Sequence, residues 1–250
     1  MKISIITVCF NSVKTIEKTI LSVINQNYEN YEYIIIDGQS TDGTKEIIKK
    51  YQSKIDKFIT EPDNGIYEAI NKGIKLADGK IISILHSNDV YFDSFVLKKA
   101  TSHFVDDDNL DIAIGDVNIK KEFSSSKILR FYSSKYFKPW MLRFGISPPH
   151  PGSFIKKSNY EKHGYYDVLY KIASDFDLYV RYILKEKLKY KITNECYVIM
   201  SAGGLSNSGI KSHIDSTKEI LKSLKKSSIY SNIILVLLRF PFKLIQYIKK

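Results

Sequence analysis

The chain has 250 residues, 44% of them hydrophobic, enough to bury one substantial core as a single domain or as a domain with a C-terminal extension, and long enough for an enzyme. Its formal net charge of +11 is uneven, with 13 basic and 18 acidic side chains in residues 1–117 against 25 and 9 in residues 118–250. That division points to a cation site in the first part and an anionic surface, membrane lipid or a lipid-linked phosphate, facing the second, and excludes reading the charge as a uniform average.

In chain order, residues 1–6 open as a buried strand and not as a signal peptide, because Asn11, Ser12 and Lys14 arrive before an apolar core has accumulated. The β-branched run 3–9 reads as a strand covered on both faces. Its Cys9 and the distant Cys196 are too few for a disulfide scaffold and form no CxxC pair, which fits a reducing cytosol. Val13, Ile16, Ile20, Val23 and Ile24 recur at helical spacing, and a second strand over 31–36 ends at Asp37. Thr41 or Asp42 is placed to cap a helix over 44–51. A strand over 55–60, a helix over 66–76 and a buried strand over 81–85 that reaches Asp89 complete a β-α-β-α-β-α-β alternation, which predicts a parallel α/β sheet.

A helix around 95–104 and a solvated turn at 106–109 precede a strand over 112–115. Residues 118–150 are aromatic and basic with little period, and Pro148, Pro149 and Pro151 rule out regular structure where they end. Residues 153–155 re-enter the sheet, 160–163 form one helical turn, and Ser174 opens a helix through Arg181 to about Lys187. The stretch 233–245 is strongly apolar but broken by Arg239, Pro241 and Lys243, short of the ~20 apolar residues that span a bilayer. Flanked by Lys225, Lys226, Lys249 and Lys250, it suits the interface of an anionic bilayer; packing on the domain or on a second copy is the plainer reading.

Helical crossovers return every strand in one direction, so the strands' carboxyl ends line a single crevice and gather Asp37, Asp63 and Asp89 there. Such a crevice suits a nucleotide diphosphate carried with a divalent metal, Mn2+ or Mg2+. Asp89 is placed to ligate that ion, or else caps the turn before Tyr91. Asp37 either accepts the imide N–H of a uracil ring or closes the turn at Gly38, and Asp63, within Pro62-Asp63-Asn64-Gly65, carries the same two readings. Ser174 and Asp177 have the spacing of a helix cap. Beside them, Asp175 is positioned to remove the proton of an acceptor hydroxyl attacking a sugar's anomeric carbon.

The segments Ile5-Ile6-Thr7-Val8-Cys9-Phe10-Asn11, Ile36-Asp37-Gly38-Gln39-Ser40-Thr41-Asp42-Gly43-Thr44, Glu61-Pro62-Asp63-Asn64-Gly65-Ile66-Tyr67, Ser87-Asn88-Asp89 and Ala173-Ser174-Asp175-Phe176-Asp177-Leu178 together resemble glycosyltransferase family 2, over roughly residues 1–205. The resemblance implies a Rossmann-like GT-A fold, a central mostly parallel sheet flanked by helices, with a nucleotide-sugar donor, a divalent metal and inverting transfer. It implies that Thr7, Asn11, Asp37 and Asp63 border the nucleoside, that Asp89 ligates the metal and that Asp175 is the base. Asn88 stands where the family usually has the first aspartate of an acidic pair, and Ser174 replaces a common glutamate. Residues 148–154 followed by 160–164 look like transferases that assemble bacterial surface polysaccharides, with His150 touching donor phosphate or acceptor, or ordering its loop.

The expected organisation is a nucleotide-sugar-binding α/β half over 1–117, an acceptor-side half of the same catalytic domain over 118–205, and a basic, apolar C-terminal helical extension over 206–250. The expected enzyme is a metal-dependent, inverting glycosyltransferase of hexosyltransferase type. It moves a UDP-linked sugar to a hydroxyl of a lipid-linked glycan in cell-surface polysaccharide biosynthesis, as a cytoplasmic protein peripheral at the inner face of the membrane. A dinucleotide-dependent oxidoreductase needs a glycine-rich first turn, which residues 9–13 lack, and no GxxxxGK[ST] pattern occurs. The remaining alternative is a nucleic-acid-binding protein that uses Tyr132, Tyr136, Phe137 and Trp140 interleaved with Lys135, Lys138 and Arg143; no recognised nucleic-acid module accompanies them.

Overall fold

The computed structural model describes residues 1–202 and 209–248, so the expected division at 205/206 and the flanking Lys249 and Lys250 lie outside the described residues. Strands β1 (Ile3–Cys9), β2 (Tyr31–Asp37), β3 (Lys57–Thr60) and β4 (Ile81–Ile84) alternate with helices α1 (Ile16–Ile24), α2 (Thr44–Lys50) and α3 (Ile66–Leu76). They pair in parallel in the order β3-β2-β1-β4. Every residue of β1 is buried, as the period-free apolar run requires, and successive side chains divide between two cores. Ile3 and Ile5 face one layer with Ile16 and Ile20 of α1, while Ile6 and Val8 face the other with Ile70 and Ile74 of α3.

The chain continues through β5 (Asp89–Tyr91), α4 (Val96–Asp106), β6 (Ile112–Lys120), β7 (Ile128–Tyr132), β8 (Ser153–Lys156), α5 (Lys157–His163), α6 (Ser174–Tyr179) and β9 (Tyr190–Ser201) to α7 (Ile210–Lys226), α8 (Ile233–Leu237) and α9 (Arg239–Ile248). β8 lies antiparallel between β4 and β6, β9 pairs in parallel with β6, and β5 and β7 attach antiparallel to β9 and β6. β1 to β4, β6 and β9 therefore share one direction, and their carboxyl ends form one edge.

Several elements differ from expectation. β6 extends to Lys120 because β9 supports its second half, and neither β5, β7 nor β9 carries a clear sequence period. β9 is bulged opposite residues 114–117 and places Asn194 at φ 58, which scrambles its alternation. The helix opened by Ser174 ends at Tyr179 and continues as a π-helical segment, Val180–Lys185. The prolines around His150 give a short 3-10 turn, as their fixed φ demands.

The C-terminal helices share the main core: Ile220 and Leu224 of α7 and Val236 of α8 are buried with Leu142 and Tyr179. Among the described residues no helix is long and apolar enough to cross a membrane. Of the aromatic residues interleaved with cations, Phe137 is buried in that core, while Tyr136 and Trp140 are exposed.

Candidate active site

A crevice of about 1050 Å³ opens along the carboxyl edge of the sheet. Asn11, Asp63, His86, Ser87, Asn88, His150 and Asp175 all reach it. The β1–α1 loop is rigidly tied: Asn11 N donates to Ser40 Oγ at 2.8 Å, and Asn11 Oδ1 accepts from Thr41 N at 3.0 Å. Asn11 and Gln39 sit at φ 47 and 63, a left-handed conformation uncommon for residues other than glycine, and both border the crevice loops. Asp63 accepts from Gly65 N at 3.0 Å, and its other oxygen lies 2.7 Å from where a Cβ on Gly38 would stand. A side chain at 38 would make the Asp63 carboxylate above it shift.

Three expected site residues lie elsewhere. Thr7 is fully buried with its hydroxyl 3.1 Å from that of Tyr33. Asp37 is also fully buried, and its oxygens accept from Ser40 N at 3.0 Å, Ser40 Oγ, Thr60 Oγ1 at 2.7 Å and Cys9 Sγ at 3.5 Å. That carboxylate braces the loop from beneath and has no lone pair left to face a base, the turn-making role taking the place of the expected uracil contact. Asp89, expected as the metal ligand, opens β5 with its side chain on the same face as Tyr91, toward the core under α1. Neither of its oxygens has a hydrogen-bond partner, and burial pushes its carboxyl up to about 8.

The group that does reach the crevice is His86-Ser87-Asn88. It is held by Thr19, whose hydroxyl donates to the carbonyls of Ser87 at 3.0 Å and Asp89 at 2.7 Å, and by Ser12 Oγ, 2.8 Å from Ser87 Oγ. Among the described residues no three His, Cys, Asp or Glu side chains are arranged to hold a metal ion. The donor set at Asp89 thus does not fit the divalent ion that the sequence led us to expect.

Asp175 enters from α6, half-buried, and accepts from Phe176 N at 2.8 Å. Burial pushes its carboxyl up to about 6, against the pull of Lys243. The loop that carries it is clamped twice. Tyr67 donates to the carbonyl of Ile172 at 2.6 Å, and Glu219 of α7 accepts from the amides of Lys171, Ile172 and Ala173 at 2.8, 2.9 and 2.8 Å. The expected cap at Ser174 is absent; its hydroxyl is buried without a partner, and Asp177 instead accepts from Arg181 Nε at 2.8 Å and Ser223 Oγ at 2.7 Å, tying α6 to α7. His150 lines the crevice with Nε2 against Tyr166 OH, and burial lowers both it, to about 3, and His86, to about 4, so both rings are neutral.

Sequence reasoning did not find Tyr67, Glu219, Arg130 or Lys243, all at the crevice or directly behind it. For Lys243 the signal existed, since Arg239 and Lys243 interrupt an apolar run at a spacing of four.

Known proteins similar to this chain include several glycosyltransferases. A PGL/p-HBAD biosynthesis glycosyltransferase of Mycobacterium bovis (strain BCG / Pasteur 1173P2) is 24% identical over 232 residues, 90% of this chain and 84% of that protein. The putative teichuronic acid biosynthesis glycosyltransferase TuaG of Bacillus subtilis is 38% identical over 91 residues, 35% of this chain and 36% of its own length. The fold matches S. aureus TarS 1-349 in complex with UDP-GlcNAc at a TM-score of 0.69 and 18% identity, over 90% of this chain. It also matches the mannosyltransferase PcManGT of Pyrobaculum calidifontis, in complex with GDP-Man and Mn2+, at a TM-score of 0.64 and 15% identity. This chain spans 66% and 63% of those two solved chains. Glycosyl transferase family 2 matches residues 4–155, more than half of the sequence, and the chain belongs to that family.

Proposed function

We propose that the chain transfers a hexose from a UDP-linked donor to a hydroxyl of a lipid-linked glycan in surface polysaccharide biosynthesis, with inversion at the anomeric carbon. The observation that carries this reading is Asp175, a crevice carboxylate clamped by Tyr67 and Glu219 and pushed up to about 6. At neutral pH it is mostly ionised, yet basic enough to take a proton in the transition state. The acceptor oxygen attacks the anomeric carbon as Asp175 takes its proton, and the bond from that carbon to the diphosphate breaks in the same displacement. Asn11 and Asp63 border the nucleoside from the donor half.

The UDP-GlcNAc complex of the TarS structure supports a uridine donor, and the names of the mycobacterial and Bacillus relatives support a surface-glycan setting. The Pyrobaculum protein binds GDP-Man together with Mn2+, whereas Asp89 of this chain faces away from the crevice. Helices α7 to α9 act in this reading as part of the acceptor wall as well as a membrane contact, because Arg239, Phe242 and Lys243 border the same crevice.

Asp175→Asn tests the base. Turnover should fall about 10³-fold while UDP affinity stays within about twofold, because a base contributes to the transition state and little to ground-state binding. Near-normal turnover in this variant removes Asp175 from the reaction.

A further inference from the structure

The crevice faces two different charge environments. On the β4–β5 side the tripeptide that reaches it is His86-Ser87-Asn88, uncharged because burial holds the His86 ring neutral. The carboxylates that do line it are already engaged: Asp42 accepts from Val13 N at 3.0 Å and Thr44 Oγ1 at 2.6 Å, Asp63 from Gly65 N, and Asp175 from Phe176 N. The residues outside the described set, 203–208 and 249–250, contain no Asp, Glu, His or Cys. A hard cation carried on a nucleotide diphosphate takes most of its shell from phosphate and water but still needs one or two carboxylates at residues 86–89 to reach it, and there the single carboxylate, Asp89, is buried on the Tyr91 face.

On the facing side the charge is positive. Arg130 of β7 and Arg239 and Lys243 of α9 all border the crevice. Register places Arg130 opposite Ile119, itself opposite Met200, whose partner is Asp89, so Arg130 shares a rung of the sheet with the residue that follows the tripeptide, three strands away. Arg239 and Lys243, four residues apart, share one face of α9. Arg239 is 2% exposed; its terminal nitrogens donate to Thr217 Oγ1 at 2.8 Å, Ser216 Oγ at 3.3 Å and the carbonyl of His213 at 3.4 Å, while its Nε has no partner. Burial first, and then the neighbouring charges of Arg239 and Arg130, push Lys243 down to about 8, with Asp175 acting against them. Three cations brought together on one wall of a partly buried crevice make a place that an anion stabilises.

We propose that the diphosphate of the donor is held by Arg130, Arg239 and Lys243, in place of a metal ion bound at residues 86–89. The inference rests on the glycosyltransferase reading and names what neutralises its leaving group. As the bond to the anomeric carbon breaks, the electron pair passes to the diphosphate oxygen beside these cations, which stabilise the charge as it develops. The same chemistry also suits the phosphate of a lipid-linked acceptor, so the test separates the two sources.

Binding of UDP, of uridine and of a short-chain polyprenyl phosphate is measured calorimetrically on the full chain, with EDTA and with Mn2+. Wild-type protein is expected to bind UDP nearly equally in both. Arg130→Ala and Lys243→Ala are each expected to weaken UDP about tenfold or more in EDTA, leaving uridine affinity and melting temperature unchanged. UDP binding that vanishes in EDTA and returns with Mn2+ overturns the proposal while the glycosyltransferase reading stands. Variants that keep UDP affinity and lose the polyprenyl phosphate also overturn it, assigning the cations to the acceptor. Failure of wild-type protein to bind UDP or uridine under either condition removes the uridine-donor reading along with it.

Discussion

At the scale of single residues, Asp89 shows how a motif carboxylate can change its role by facing the other way. Fully buried without a hydrogen bond, it keeps its proton up to about 8. In the unfolded chain the same group ionises near its ordinary 3.8. Below that value both states are protonated and Asp89 has no effect on stability. Between 3.8 and about 8 the unfolded state loses its proton and the folded state does not, so stability declines with rising pH, by about 1.4 kcal/mol per unit at most. Above about 8 both are ionised and the penalty is constant. Asp89→Asn removes this dependence: the variant should match wild type near pH 4 and melt at a clearly higher temperature at pH 8. Parallel melting curves for the two proteins across that range contradict a buried, neutral Asp89.

At the scale of elements, α7 is what turns the loop before α6 into a rigid mount for the base. Three consecutive amides, of Lys171, Ile172 and Ala173, converge on the Glu219 carboxylate. Hydrogen bonds to a charged acceptor contribute roughly 1.5–3 kcal/mol each, and because this loop is partly open to solvent, water takes over much of what the three amides lose, so the net cost falls below the full sum. Glu219→Ala should therefore lower stability by about 2–4 kcal/mol in urea titration and reduce kcat by more than tenfold, while the KM for donor, set by groups that Glu219 does not touch, changes little. An unaltered kcat separates α7 from the reaction. The first four strands were readable because each is an uninterrupted β-branched run between amphipathic helices, and Asn11, Asp63 and Asp175 were readable because turn chemistry and chain direction bring them to one edge. Asp37, Thr7 and Asp89 were misplaced because sequence shows which residues follow a strand but not which side of the pleat they occupy. Glu219, Tyr67 and Lys243 were missed because their roles depend on contacts with residues far away in the chain, 46 positions off for Glu219 and Ala173 and 105 for Tyr67 and Ile172, and β9 because its bulge removes the alternation on which strands are recognised.

At the scale of the whole molecule, the excess positive charge and one cluster of exposed apolar residues lie in the same C-terminal part of the chain. Tyr230, Ile233, Ile234, Leu237 and Leu238 are 44–74% exposed, and Ile233, Ile234, Leu237 and Leu238 repeat at helical spacing, so α8 turns one apolar face outward while Val236 anchors the other in the core. Lysines 218, 222, 225 and 226 precede this face on α7. An apolar ridge behind a cationic helix suits the headgroup boundary of an anionic bilayer, where the acceptor's lipid would lie, with the crevice cations Arg239 and Lys243 one helix further on. Both attractions must then appear in binding to phosphatidylglycerol vesicles. Raising the salt from ~0.1 M to ~1 M shortens the screening length from about 10 to 3 Å and should weaken vesicle binding without abolishing it, the apolar part surviving. Ile234→Asp with Leu238→Asp, at positions already 72% and 47% exposed, should leave melting temperature and UDP binding unchanged and reduce vesicle binding about tenfold or more. Vesicle affinity equal to wild type in the double variant shows that the face meets something other than lipid. Binding that instead disappears entirely with salt shows that the lysines hold the bilayer alone, leaving α8 out of the contact.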